Sequence, residues 1–113
     1  MKQVAVFGAG RIGQIHASTL AALPGVQLRY ISDPASQSAA SLAQALGAQV
    51  ASIEEALADP AVDAVVIASP TTTHSDLIVR AAQAGKHIFC EKPVDLSVAR
   101  AEACAAAVRQ AGV

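Results

Sequence analysis

The chain has no tryptophan, one tyrosine and two phenylalanines among 113 residues. With aromatics at 3%, its interior has to be built from small aliphatic groups, and alanine-rich helices of this kind suit close packing on a sheet. Only two cysteines occur, Cys90 and Cys104. Their spacing matches neither a CxxC pair nor a zinc site, and a single pair is no disulfide framework. No basic cluster is present and the net charge is −1, so neither nucleic acid nor an anionic membrane is indicated as a partner. No apolar run approaches the length needed to cross a bilayer. Met1-Lys2-Gln3-Val4 leads into a strand rather than a signal peptide. These absences point to a soluble, reducing, cytoplasmic setting. The chain is 53% hydrophobic and 15% charged, a globular balance tilted towards burial, and its length suits one domain.

Apolar runs and helical stripes alternate along the whole chain. Val4-Ala5-Val6-Phe7 reads as a strand buried on both faces. Arg11 to Leu23 carries Ile12, Ile15, His16, Thr19, Leu20 and Leu23 on one helical stripe, and Pro24-Gly25 stops it. Val26 to Ser32 is a second strand, closed by Asp33-Pro34. Ala35 to Leu46 is a helix with Gly47 as its stop. A brief strand at Ala48-Gln49-Val50 precedes Ser52-Ile53-Glu54-Glu55, which has the spacing of a capping box. Ala64-Val65-Val66-Ile67-Ala68 is the clearest central strand. After the polar loop Ser69-Pro70-Thr71-Thr72-Thr73, helix resumes near His74 and ends at Gly85. His87-Ile88-Phe89-Cys90 is the fifth strand, and a helix is predicted from about Leu96 to Gln110. Such alternation means parallel strands joined by right-handed crossovers. The expected fold is α/β, a Rossmann-type open parallel sheet of order 3-2-1-4-5 with helices on both faces.

Gly8-Ala9-Gly10-Arg11-Ile12-Gly13 follows the first strand and opens a helix. GxGxxG alone is a weak signal, but this is the context it requires. Gly8 permits the tight turn, Gly10 lets backbone approach a pyrophosphate, and Gly13 lets helix and strand lie close. Free N–H groups at the helix start, with the helix dipole, favour an anion.

Asp33 stands about 20 residues past Gly13, at the end of the second strand, where an acid hydrogen-bonds the adenosine ribose hydroxyls. NADP would want a cation there for its 2′-phosphate. No Lys or Arg lies between Arg29 and Arg80, so NAD is favoured over NADP. The bland alternative for Asp33 is a helix cap ahead of Pro34. A methyltransferase also places an acid after strand two. Its glycine loop usually differs in spacing, and it gives no role to Glu91-Lys92-Pro93.

Ligands in open parallel sheets sit beyond the carboxyl ends of the strands. Ser69 to His74 and Glu91-Lys92-Pro93 both fall there. Hydride loss from a secondary alcohol is eased when the hydroxyl proton leaves, so a base or relay within hydrogen-bond reach is needed. A lysine at a strand end, partly desolvated beside a cationic nicotinamide, can serve. The alternative for Lys92 is a solvated lysine paired with Glu91. His74 either lines the site or caps the helix that starts there, with the second slightly favoured. His16 reads as a partly buried helix residue outside the chemistry, His87 as structural, and Cys90 as an inert small hydrophobe. No metal constellation is present.

Taken together, the glycine loop with His16-Ala17, Asp33, Ser69-Pro70-Thr71-Thr72-Thr73-His74 and Glu91-Lys92-Pro93 resemble the Gfo/Idh/MocA oxidoreductases, in order and over essentially the whole chain. The resemblance implies hydride transfer between NAD(P) and a hydroxyl carbon of a sugar or cyclic polyol, with activity of the inositol 2-dehydrogenase type as the best single name. It implies that Lys92 lies beside the reacting hydroxyl as the catalytic residue, that Glu91 contacts the nicotinamide ribose, and that a cis peptide bond precedes Pro93. The expected cofactor-binding set is Gly8, Gly10, Arg11, Ile12, Gly13, Asp33, Ser69, Pro70, Thr71, His74, Glu91 and Lys92. Family members continue into a second α/β domain that supplies the substrate pocket. The chain is therefore expected to be a cofactor domain with little turnover alone, prone to self-association as a homo-oligomer. The other reading is a non-catalytic NAD-sensing or interaction module.

Overall fold

The computed structural model describes residues 1–92, 95 and 97–113. Strand β1 (Lys2–Phe7) leads into helix α1 (Arg11–Ala22), followed by β2 (Val26–Ser32), α2 (Ser36–Leu46), β3 (Gln49–Val50) and α3 (Ile53–Ala58). Then come β4 (Ala64–Ile67), α4 (His74–Gln83), β5 (His87–Cys90) and α5 (Val98–Ala111). All four strand pairings are parallel, in the order β3-β2-β1-β4-β5. This is the expected order, and a Rossmann-type sheet.

Side-chain alternation along the central strands divides the core in two. Val4 and Val6 of β1, Leu28 and Ile31 of β2 and Val66 of β4 pack with Ala17 of α1 and with Ala39 and Ala43 of α2. Ala5, Phe7, Val65 and Ile67 face the other way, onto Ala56 of α3, Leu77, Ile78 and Ala81 of α4, and Cys104 of α5. A strand buried on both faces needs an unbroken apolar run, which is what Val4–Phe7 supplies. Phe7, Ile31, Ile67, Val6 and Val65 are each less than 2% exposed, and each contributes about 1.5–3 kcal/mol by burial.

Local signals hold at the element ends. Ser52 accepts from the Glu55 N–H and the Glu55 carboxylate from the Ser52 N–H, both at 3.0 Å, a complete capping box for α3. Gly47 ends α2 in the left-handed region at φ +75°. A turn of 3₁₀ helix, Thr71–Thr73, precedes α4, and Ser97 caps α5, its Oγ accepting from Arg100 N–H. Leu96, where that helix was expected to start, lies outside the described residues.

Helix α1 corrects the expected stripe. Its buried residues are Gly13 and Ala17, whereas Ile12 is 46%, Ile15 54% and Leu23 45% exposed. The helix meets the sheet through its smallest side chains because it starts directly from β1 and lies too close for larger ones. Of its bulky apolar groups, Leu20 packs partly against the core while Ile12 and Ile15 are left outside. Among the described residues, no helix is long and apolar enough to cross a membrane.

Candidate functional site

β1 pairs with β2 on one side and β4 on the other, so the chain leaves the sheet in opposite directions from these neighbours. A crevice opens at that switch point, beyond the carboxyl ends. A cleft of about 770 Å³ occupies it. Its floor is the glycine loop with Arg11 and Ile12, one wall is Ser32-Asp33-Pro34, and the other is Ser69, Pro70, Thr72 and Thr73. Ile53 of α3 and Asp76, Leu77 and Arg80 of α4 close one end.

The three glycines of the loop have different reasons to be glycine. A Cβ on Gly8 would stand 2.7 Å from the Ala68 carbonyl carbon, and Gly8 has φ +110°. A Cβ on Gly13 would stand 1.9 Å from the Gly8 carbonyl oxygen. Both are required by the protein's own packing. Gly10 is not: it is the N-cap of α1 at φ −74°, and a Cβ there would meet nothing within 4 Å. It borders open cleft. The helix start above it has no side-chain cap and no acid in its first turn, so its leading N–H groups have no partner within the helix. The loop thus fits an anionic group that approaches backbone closely.

Asp33 is held ready at the rim. Its Oδ2 accepts from the Ala9 N–H at 2.7 Å and its Oδ1 from the Ala35 N–H at 2.7 Å. The acid therefore ties the end of β2 to the glycine loop. Its bond to Ala35 is a turn contact ahead of α2 and not a helix cap, since the N-cap of α2 is Ala35, with no side-chain cap. The neighbouring Gly8 N–H donates to Ser32 O at 2.8 Å.

The loop after β4 closes on itself. Ser69 Oγ and Thr73 Oγ1 lie 2.6 Å apart, and Thr73 Oγ1 donates to Pro70 O at 2.6 Å. His74 is 2% exposed, with its Nε2 2.8 Å from Ser69 O. It braces the loop from beneath and does not line the cleft, and it is not the expected cap, since α4 has Thr73 as its N-cap with no side-chain cap. Thr71 also stays out of the lining, where Thr72 and Thr73 take its place.

Sequence reasoning missed Arg80. Its Nη2 is 3.3 Å from Glu54 Oε1 and its Nη1 is 3.5 Å from Asp76 Oδ2. The Asp76–Arg80 spacing was readable as an i,i+4 pair. Its place on the cleft was not, because that follows from how α4 docks on the sheet.

At the end of β5, Glu91 forms an ion pair with His16 of α1, and the His16 ring meets Phe89 edge-on at 5.3 Å between centroids. His16, read as a helix residue outside the chemistry, thus engages one of the expected cofactor-binding acids. Lys92 is exposed, and neither it nor Glu91 lines the cleft. Pro93, with its expected cis bond, lies outside the described residues. Burial chiefly pushes the Cys90 thiol up to about 11, which keeps it protonated and unreactive.

A strongly perturbed carboxyl lies away from the cleft. Asp59 is held at about 2, below its usual 3.8, by the Tyr30 hydroxyl at 2.6 Å, the Ala61 N–H at 2.8 Å and Arg29 Nε at 2.8 Å. This network joins β2 to the end of α3. Among the described residues, no group of three or more His, Cys, Asp or Glu could hold a metal ion.

Comparison with known proteins places this geometry. A family model described as an oxidoreductase family with an NAD-binding Rossmann fold matches residues 2–113. Scyllo-inositol 2-dehydrogenase (NAD(+)) of Bacillus subtilis is 43% identical over 112 residues, covering 96% of this chain and 33% of that protein. The structure of a myo-inositol dehydrogenase from Corynebacterium glutamicum superposes with a TM-score of 0.89 at 42% identity, over 98% of this chain and 34% of the other. That of GenD2 from gentamicin A biosynthesis, in complex with NAD, gives 0.96 at 40% identity, over 99% and 32%. The chain spans about a third of the length of each of these relatives.

Proposed function

The chain belongs to the Gfo/Idh/MocA oxidoreductase family, and from that premise we propose that it is the cofactor-binding part of an NAD-dependent dehydrogenase acting on an inositol-like polyol or sugar. The observation that carries the reading is Gly10: a glycine with ordinary backbone angles, no packing neighbour and an open cleft above it. Gly8 and Gly13 shape the turn, and the first-turn N–H groups above Gly10 receive the pyrophosphate. Arg11 makes no ion pair with the described residues and adds a cation beside it, while Ile12 supplies an apolar wall. Asp33 accepts from the adenosine ribose hydroxyls. Ser69, Pro70, Thr72 and Thr73 border the nicotinamide half, braced by His74.

When bound, NAD supplies the hydride acceptor. Glu91, steadied by His16, would contact the ribose at the reacting end. Lys92 would stand beside the reacting hydroxyl and hydrogen-bond its oxygen as part of the relay that carries the proton away. The neighbouring acids at Asp33, Asp76 and Glu54 disfavour the added phosphate of NADP. The whole protein's substrate follows its relatives named for inositols, and a cytoplasmic homo-oligomer fits the same reading.

Titrating the chain with NADH and following nicotinamide fluorescence tests this. Saturable binding below millimolar is expected, and no binding at millimolar cofactor would refute it.

A further inference from the structure

Phe89 and Glu91 fall on one face of β5 and its end, because strand side chains alternate. The residue of α1 that meets both is His16. Its ring stands edge-on to Phe89 at 5.3 Å between centroids, and its Nε2 pairs with the Glu91 carboxylate. The two side chains are 25% and 34% exposed, so water can still reach the pair. Other charges around α1 are distant or engaged. The helix also packs on β1, β2 and α2. No charged residue occurs on α2. Lys2 of β1 is at the amino end of its strand, opposite to Glu91. Arg29 of β2 is bound to Asp59, and Asp33 to the Ala9 and Ala35 N–H groups. Arg11, in the first turn of α1, and Lys92, after Glu91, are exposed cations. Among the described residues, Glu91 is thus the one acid within ion-pair reach of His16.

One proton changes the charge of this pair. With His16 protonated, the pair is neutral as a whole. With His16 neutral, an Nε2–H still donates to the carboxylate, and the pair carries one negative charge. Histidine is the side chain suited to this change at ordinary pH. The oxidised nicotinamide ring is a cation and the reduced ring is not. We propose that His16, acting through Glu91, sets the preference of the site between oxidised and reduced cofactor and makes that preference depend on pH. This rests on the reading that NAD binds with its nicotinamide end beside Glu91. Loss of the His16 proton leaves the Glu91 charge uncompensated, which attracts the oxidised ring and not the reduced one. By linkage, oxidised NAD drives the proton off His16 on binding and NADH does not. His16 touches no reacting atom in this scheme; it is a positioning residue whose charge is felt through Glu91.

The test measures dissociation constants of oxidised NAD and NADH at about pH 6 and about pH 9, NADH by fluorescence and oxidised NAD by competition. In the unaltered chain, the preference for oxidised NAD over NADH is expected to rise about 2- to 10-fold between the two. His16→Gln keeps a neutral donor for Glu91 and removes the titration. Its preference is expected to stay constant, near the value of the unaltered chain at high pH. Calorimetry of the unaltered chain near neutral pH, in two buffers of different ionisation enthalpy, is expected to show more proton release on binding oxidised NAD than on binding NADH. A preference that does not move with pH, or equal proton release by the two forms, would overturn the proposal without any variant. Equal weakening of both forms in His16→Gln with the pH dependence intact, the mark of a merely structural residue, would overturn it too. Failure of the unaltered chain to bind NADH overturns the cofactor reading instead, so the two failures are distinguishable.

Discussion

Replacing Gly10 with alanine should remove ligand binding while leaving the fold intact. Gly10 sits at φ −74° and ψ −167°, angles an alanine adopts freely, and its Cβ would touch nothing within 4 Å. Two small terms act on stability. Alanine reduces the freedom of the unfolded chain, worth about 0.4–1 kcal/mol in favour of folding. It is a poorer N-cap than glycine, costing roughly 0.3–1 kcal/mol. They nearly cancel, so the midpoint of thermal unfolding should move by no more than about 3 °C. Gly13→Ala is the contrast. Its Cβ would lie 1.9 Å from the Gly8 oxygen and 2.6 Å from the Gly8 carbon, and both are backbone of the same tight turn. That overlap should cost at least about 3 kcal/mol, or ten degrees or more. For binding, a methyl at the closest approach to the pyrophosphate lifts it off the helix N–H groups. Each charge-assisted hydrogen bond lost costs about 1.5–3 kcal/mol, which gives at least roughly a tenfold loss in NADH affinity. Differential scanning fluorimetry and NADH fluorescence titration on the two variants read both quantities. An alanine at position 10 that binds NADH within twofold of the unaltered chain would refute the argument that a ligand is the reason for this glycine.

Three further predictions concern the acids and their partners. Asp33→Ala should weaken NADH about tenfold or more and narrow the gap to NADPH, since it removes both the ribose acceptor and a repelling charge; an unchanged preference in paired titrations would disprove the assignment. Asp59 has a folded pKa of about 2 against an ordinary 3.8, so its stabilisation is complete above about pH 4 and is lost as pH falls from there towards 2. Asp59→Asn should lower stability at neutral pH and flatten its fall over that acidic window, as read from urea melts at several pH values. His16→Ala frees the Glu91 carboxylate and should weaken reduced nicotinamide mononucleotide severalfold without changing ADP-ribose; equal losses for both ligands would mean a general effect on the fold.

The sheet order was legible because Val4–Phe7 and Ala64–Ile67 are unbroken apolar runs, and because each crossover carries its own stop or cap. The residues buried on α1 were not legible. Ile12, Ile15 and Leu23 are the larger hydrophobes, and helical spacing sets them on one stripe. The distance between helix and sheet decides instead, and it is set by Gly13 against the Gly8 carbonyl. The site divides in the same way. Gly8, Gly10, Gly13 and Asp33 are close in sequence to the turns that place them, so spacing reveals them. Arg80 and His16 acquire their roles from partners on other elements, Glu54 and Glu91, separated from them by whole crossovers. No local pattern encodes those meetings.

The two acids at the strand ends also bear on how the site is made ready. Asp33, after β2, holds the Ala9 N–H just ahead of α1, and Glu91, after β5, holds His16 in its second turn. These strands lie on opposite sides of β1. The start of α1 is therefore fixed from both flanks before any ligand arrives, in addition to the Gly8–Gly13 contact beneath it. A helix terminus fixed in this way pays little ordering entropy on binding an anion, so more of the hydrogen-bond energy shows as affinity. The engagement of each acid is partial. Asp33 spends one bond on the loop and one on Ala35, while a carboxylate offers about four lone-pair sites. The acceptor sites left over on Asp33 are what ribose hydroxyls would use, so ligand binding adds to the loop's anchoring rather than competing with it.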